Sequence, residues 1–257
     1  MRKKFTELFI ILLCLIPYQL AVAGEQKVFT VLVQDYEELP PYSQYKNGEF
    51  SGFNREVLDL FATSQGYQFS YVAYPVKRLF HEFVQGTGDF KYPENPKWAS
   101  HIKKEANISY SDPVVEYING VMVLPENKGN GLQSIKKLGL VAGWTPIGYV
   151  EEKNSGAIKI FENNSYEGLL KQAMLGRIDG AYSNVATSRY YLTQIIKQAD
   201  ALVFDPDLPH VRDQRSLASI KHPEIIKEFN AFLKSHRDVI GQLKTQYRVE
   251  DGVVNDP

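Results

Sequence analysis

Short runs of β-branched and aromatic residues alternate with segments of helical periodicity along most of this 257-residue chain. That rhythm restricts the fold. A helix between two strands returns the chain to a neighbouring parallel strand, which leaves mostly parallel sheets with helices packed on both faces. Strands are predicted at residues 28–33, 68–74 and near 88–92, then at 120–124, 140–142, 158–161, 178–182, 201–204 and 216–220. Asn54 can cap a helix whose Val57, Leu58, Leu60 and Phe61 form one apolar face, and a second helix is predicted over 76–84. Further helices are expected to begin near Pro146, Ser165 and Ala186. Ser165 reads as a cap, and Gly176 as the stop of the helix that follows it. Pro223 opens a last helix with Ile225, Ile226, Phe229, Phe232 and Leu233 facing inward.

The amino-terminal residues read as an export signal. Arg2, Lys3 and Lys4 precede an uncharged apolar run from residue 8 to 16, and Ala21-Val22-Ala23 offers a cleavage site after Ala23. The apolar run is too short to span a bilayer. Cleavage would remove Cys14, the only cysteine, and with it disulfides, thiolate metal sites and a cysteine nucleophile. It would also take the formal net charge from −1 to −3, by removing three basic residues and Glu7. An acidic chain without a basic run carries no electrostatic footprint for nucleic acid.

Cofactor chemistry finds no support either. The five histidines show no metal-ligand spacing, Gly86-Thr87-Gly88 is too short for a dinucleotide loop, and Ser51 misses a nucleophile elbow by one position. Ligands of such α/β sheets lie beyond the carboxyl ends of the strands. The loops there, residues 35–42, 92–98 and 143–146, are rich in aromatic and charged residues. Tyr36, Glu37 and Tyr42 follow the first strand, although Tyr42 can equally pack under Pro40-Pro41. Thr145 with Pro146 reads as a helix start whose free N–H groups suit an anion, or as a plain cap. Trp98 and Trp144, the only tryptophans, fit either ligand stacking or ordinary packing. Arg78 at a helix start implies an anionic partner: a ligand, or a carboxylate such as Glu37, Glu38 or Glu82.

The order of several fragments resembles the family-3 extracellular solute-binding proteins, amino-acid-type periplasmic receptors of the type II fold. The fragments are Pro40-Pro41-Tyr42 before Gly48, Gly52-Phe53-Asn54, Gly86 to Asp89, Ile108-Ser109-Tyr110-Ser111-Asp112-Pro113, the Gly143/Thr145 turn, Gly176-Arg177-Ile178-Asp179-Gly180 and Leu217-Ala218-Ser219-Ile220-Lys221. The resemblance implies two lobes, 24–117 with 210–257 and 118–209, joined by two crossing strands that act as a hinge. The chain would leave lobe 1 near Tyr117 and return near Pro209. It further implies a monomeric periplasmic protein without a cofactor, which delivers a small-molecule solute, polar or anionic, to an inner-membrane ABC permease. The family's carboxylate-gripping arginine falls on Lys104, its ammonium-holding aspartate on Asn184, and its serine-rich loop on residues 92–98, with Tyr92, Asn95 and Trp98. Those departures point away from an ordinary α-amino acid. Two other functions share the fold: a dehydratase-like enzyme, with Glu37 or Glu94 as general acid, and a solute-sensing lobe.

Overall fold

The computed structural model describes residues 26–35 and 40–253. The expected signal peptide, Tyr36 and Glu37 lie outside the described residues. The first strand, β1 (Val28–Gln34), is followed by a short hairpin of β2 (Gln44–Lys46) and β3 (Glu49–Ser51). Asn47 and Gly48 at its tip both have positive φ, 53° and 81°, which matches the turn to the right-handed twist of the strands. Helix α1 (Phe53–Gln65) then begins two residues earlier than predicted, after Gly52 rather than after an Asn54 cap. A Cβ on Gly52 would stand 3.0 Å from the Tyr42 carbonyl oxygen, so the close approach of these two backbones requires glycine. Asn54 instead donates its backbone N–H to that carbonyl at 2.9 Å and is buried in the first helical turn.

The chain continues through β4 (Gln68–Tyr74), α2 (Val76–Val84), β5 (Phe90–Glu94), the single turn α3 (Ser100–Lys103), β6 (Ser109–Tyr110) and the long β7 (Val115–Val123). Next come β8 (Lys137–Val141), α4 (Val150–Ser155), β9 (Lys159–Asn163), α5 (Tyr166–Met174), β10 (Gly180–Asn184) and α6 (Val185–Tyr190), which widens into a π-turn. The remaining elements are β11 (Val203–Phe204), the long β12 (Val211–Ser219), α7 (Pro223–Ser235) and α8 (Arg237–Tyr247).

The main sheet runs β4-β1-β5-β12-β7-β10-β8-β9. Its two outer portions are parallel, β1 with β4 and β5, and β8 with β9 and β10. They are joined by β7 and β12, which run antiparallel with Val115 to Asn119 opposite Arg215 to Val211. The second half of β12 leaves β7 and pairs with β5 and β6 instead. The two long strands thus belong to both portions of the sheet. An aromatic core under the first portion gathers Phe61, Phe69, Phe90, Phe229 and Phe232 from α1, β4, β5 and α7. The second portion buries Leu169, Leu170 and Ala173 of α5, the face predicted from Ser165 onward.

Both portions register their strands in the same way. Asp89 accepts the Thr30 N–H at 2.8 Å while its own N–H returns to the Thr30 carbonyl; Asp179 does the same with Lys137. Burial alone would raise the Asp89 pKa, but the Thr30 N–H, His222 and Lys221 together hold it below the usual value. A carboxyl depressed on folding stabilises the protein above its unfolded pKa of about 3.9, and that contribution is lost as pH falls through the folded value. Asp89→Asn is therefore expected to be less stable at pH 7 and to lose less further stability below about pH 4. Urea midpoints measured from pH 7 to pH 2.5 check this.

Candidate functional site

The carboxyl ends of both parallel portions turn toward the crossing strands, and polar aromatic residues gather there. Arg215, near the middle of β12, sits two positions from Leu217, so strand periodicity points both side chains into the first core. Its guanidinium lies 3.6 Å from the Tyr42 ring centroid and 5.2 Å from that of Tyr117 on β7. Arg215 is only 5% exposed, and its Nε and Nη1 have no hydrogen-bond partner. The Tyr42 and Tyr92 hydroxyls, in fully buried residues of the same core, are also without partners. Burial raises the pKa of both hydroxyls, with the nearby Arg215 charge opposing it. The Tyr117 hydroxyl, pushed up to about 12 by burial, accepts the Trp98 indole N–H at 3.2 Å.

Asn184 enters this group from the other portion, at the carboxyl end of β10. It caps α6 by accepting the Thr187 N–H at 3.0 Å, and its amide nitrogen reaches Asn119 at 3.3 Å. Its side chain lies close to the Tyr42 hydroxyl, though not in hydrogen-bonding geometry. A cavity of about 500 Å³ adjoins the pair. Its walls include Pro41 and Ser43, which flank Tyr42, and Ala186, Arg189 and Tyr190 of α6. Of the eleven residues nominated from sequence, none of the nine that lie among the described residues lines that cavity itself.

Next to Trp98 lies a buried ionic cluster. Glu94, fully buried, receives Lys91 and Lys103 at 2.6 Å each, and its Oε1 also accepts the Asn95 N–H at 2.9 Å. The two ammonium groups stand over Phe80 at 4.3 and 5.8 Å. One carboxylate facing two ammonium groups leaves a buried surplus of positive charge. Burial lowers the Lys91 pKa, and Glu94 opposes that shift.

Three nominations are corrected. No helix starts at Pro146: Thr145 is exposed, its carbonyl accepts the Ile147 N–H at 2.9 Å, and Gly148 at φ 91° breaks the segment before the six-residue α4. The helix-cap anion site expected at Thr145 is therefore not formed. Arg78 pairs with Glu82 one turn along α2 at 3.0 Å and stacks on Tyr74, its side chain 64% exposed. That is the salt-bridge reading. Lys104 points outward, 71% exposed, and its neighbour Lys103 takes the buried place.

Tyr42, Tyr92, Trp98 and Asn184 do meet at the crossing strands, as does Asn95. The Asn95 side chain is committed there: it donates to the Gln214 carbonyl at 2.8 Å and accepts the Lys97 N–H at 2.9 Å. Trp144 packs between the two cores of the second portion, edge-on to Tyr166 at 5.8 Å. Arg215, Tyr117, Lys91 and Lys103 were missed from sequence. For Arg215 the available signal was its strand-period spacing from the buried Leu217.

No protein-family model and no curated protein matches this sequence. Solved structures do match it in fold. A mutant of ArgBP from T. maritima is 17% identical with a TM-score of 0.64, over 86% of this chain and 94% of that one. The periplasmic VFT2 domain of Bordetella pertussis BvgS is 18% identical with a TM-score of 0.64, over 86% and 93%. The ancestral amino acid-binding protein AncCDT-1, described as a precursor of cyclohexadienyl dehydratase, is 18% identical with a TM-score of 0.62, over 86% and 95%. Similarity at this identity establishes the fold: a two-lobed, periplasmic-binding-protein-like α/β architecture.

Proposed function

We propose that this chain is a family-3 solute-binding protein that captures a small polar or anionic solute between two lobes and performs no chemistry on it. The lobes would be 24–117 with 210–257, and 118–209. The observation that carries the reading is the meeting of Tyr42, from one portion of the sheet, with Asn184, from the other. They meet at the carboxyl strand ends, beside a cavity walled by both portions. Strand ends facing a crevice are where α/β folds place ligands, and about 500 Å³ falls within the usual range for small-molecule pockets. The similar proteins named as arginine- or amino-acid-binding support a solute of about that size.

In this reading the protein works in the periplasm, after removal of residues 1–23, and passes its solute to an inner-membrane ABC permease. The dehydratase alternative, raised by the AncCDT-1 likeness, needs a carboxyl group free to donate a proton in the cleft. Glu94 does not fit that role, because two lysines and a backbone N–H occupy its carboxylate.

A melting screen against amino acids, small peptides, mono- and dicarboxylates and polyamines tests the proposal. At a hundredfold excess over Kd, binding contributes about 2.7 kcal/mol. A domain of this size should then melt roughly 5–10 °C higher. A flat response to every class at millimolar concentration would remove the binding reading.

A further inference from the structure

We propose that Arg215, with the Tyr42 and Tyr92 hydroxyls, holds the carboxylate of a small organic acid that bears no ammonium group. This rests on the solute-binding reading above and names the class of solute. A guanidinium buried without a counter-ion is disfavoured unless something of opposite charge reaches it.

Among the described residues no carboxylate plays that part. Asp213 is bound by Lys97 at 2.8 Å, Glu250 by Lys244 at 2.8 Å, and Asp251 by Arg248 at 2.6 Å. Glu94 is taken by the two lysines. Arg215 therefore keeps Nε and Nη1 unpartnered, and the Tyr42 and Tyr92 hydroxyls near it are unpartnered donors of the kind a carboxylate accepts from. The charge also sets a limit: one guanidinium matches one carboxylate.

The same inventory argues against an amine on the solute. The polar group that the second portion brings to Tyr42 is the Asn184 amide, and that amide is already engaged by Thr187 and Asn119. Among the described residues no carboxylate remains free beside Arg215 to receive an ammonium. An α-amino acid would bury its positive charge unmatched.

The probes are benzoate and hexanoate, their amides benzamide and hexanamide, and the amine-bearing phenylalanine and norleucine. Each is followed by thermal shift and calorimetric titration on the wild-type protein and on Arg215→Gln. The acids should raise the melting temperature in a concentration-dependent way. The amides and amino acids should bind at least tenfold more weakly. Arg215→Gln should weaken acid binding on the order of 100-fold. Without ligand this variant should melt no lower than wild type, since it removes an unpaired charge. A purely structural arginine, stacked on Tyr42, would instead give a lower melting temperature and unchanged affinity.

If Arg215→Gln does not fold, Tyr42→Phe and Tyr92→Phe keep both rings and remove only the hydroxyls; each should weaken acid binding about tenfold. Amides or amino acids binding as tightly as the acids would overturn the inference. So would unchanged affinity in these variants, or acids that never bind while another class in the wider screen does. In each case solute binding itself would still stand. Silence from every class overturns both.

Discussion

Replacing Glu94 with glutamine is expected to destabilise the protein by about 3–5 kcal/mol, among the largest effects of any single polar substitution here. Glutamine keeps the shape and removes only the charge, leaving the Lys91 and Lys103 ammonium groups buried together with no anion between them. The melting temperature should fall on the order of 10 °C. Lys91→Met should cost less, because it leaves one lysine against one carboxylate and removes the surplus charge. The pH dependence gives an independent check. Burial already holds the Lys91 pKa below its ordinary value, so folding disfavours its charged form. That penalty is complete below the folded-state value and eases as pH rises through it toward the unfolded value of about 10.4. Without Glu94 the folded value drops further, and the deficit of the variant should narrow between pH 7 and pH 9.5. Urea unfolding at both pH values measures this. Equal losses for Glu94→Gln and Lys91→Met would mean that the charge balance is not what holds this loop.

What could be read from the sequence divides along physical lines. Helix α2 and strand β4 match their predictions to the residue, since Pro75 separates a half-buried strand from an amphipathic helix and both patterns are pure. The start of α5 was equally legible, because the Ser165 cap is a local interaction with the Gly168 N–H. The first half of β12 was not. Arg212, Asp213 and Gln214 carry no apolar alternation, and the segment is a strand because β7 pairs with it across the fold. Helix α8 hid for a related reason: of its residues only Ile240 is buried. At the site, counting along the chain reached Lys104 when the buried lysine is its neighbour. The short α3 follows Ala99, whose φ is +43°, and that local backbone turn sets which lysine faces Glu94. Residue type and spacing located the loops; only packing decided which side chains face in. Arg215 shows the limit most clearly: of the two arginines on β12, its spacing from Leu217 marks it as inward-facing, but it becomes a site residue only because Tyr42, from far earlier in the chain, closes over it.

The second large effect is expected from Phe61→Ala, about 3–5 kcal/mol of lost stability and a melting temperature on the order of 10 °C lower. Phe61 is fully buried in α1, and its ring meets Phe229 at 5.0 Å, Phe232 at 5.5 Å, Phe69 at 6.1 Å and Tyr67 at 6.2 Å. Four rigid rings from β4, α7 and the α1–β4 turn cannot close on the space an alanine leaves, so most of the cavity cost should appear. The two tryptophans make the propagation of that loss measurable. Trp98 packs against this same core, and Trp144 against the cores of the other portion. Fluorescence in Trp144→Phe and Trp98→Phe backgrounds therefore reports each portion alone. The continuous pairing of β12 with β5 and β7, and the place of Ala186 of α6 within the first core, bind the two portions into one cooperative unit. Phe61→Ala should lower the urea midpoint equally in both backgrounds. A shift confined to the Trp98 signal would mean that the portions unfold independently and that the crossing strands transmit no stability between them.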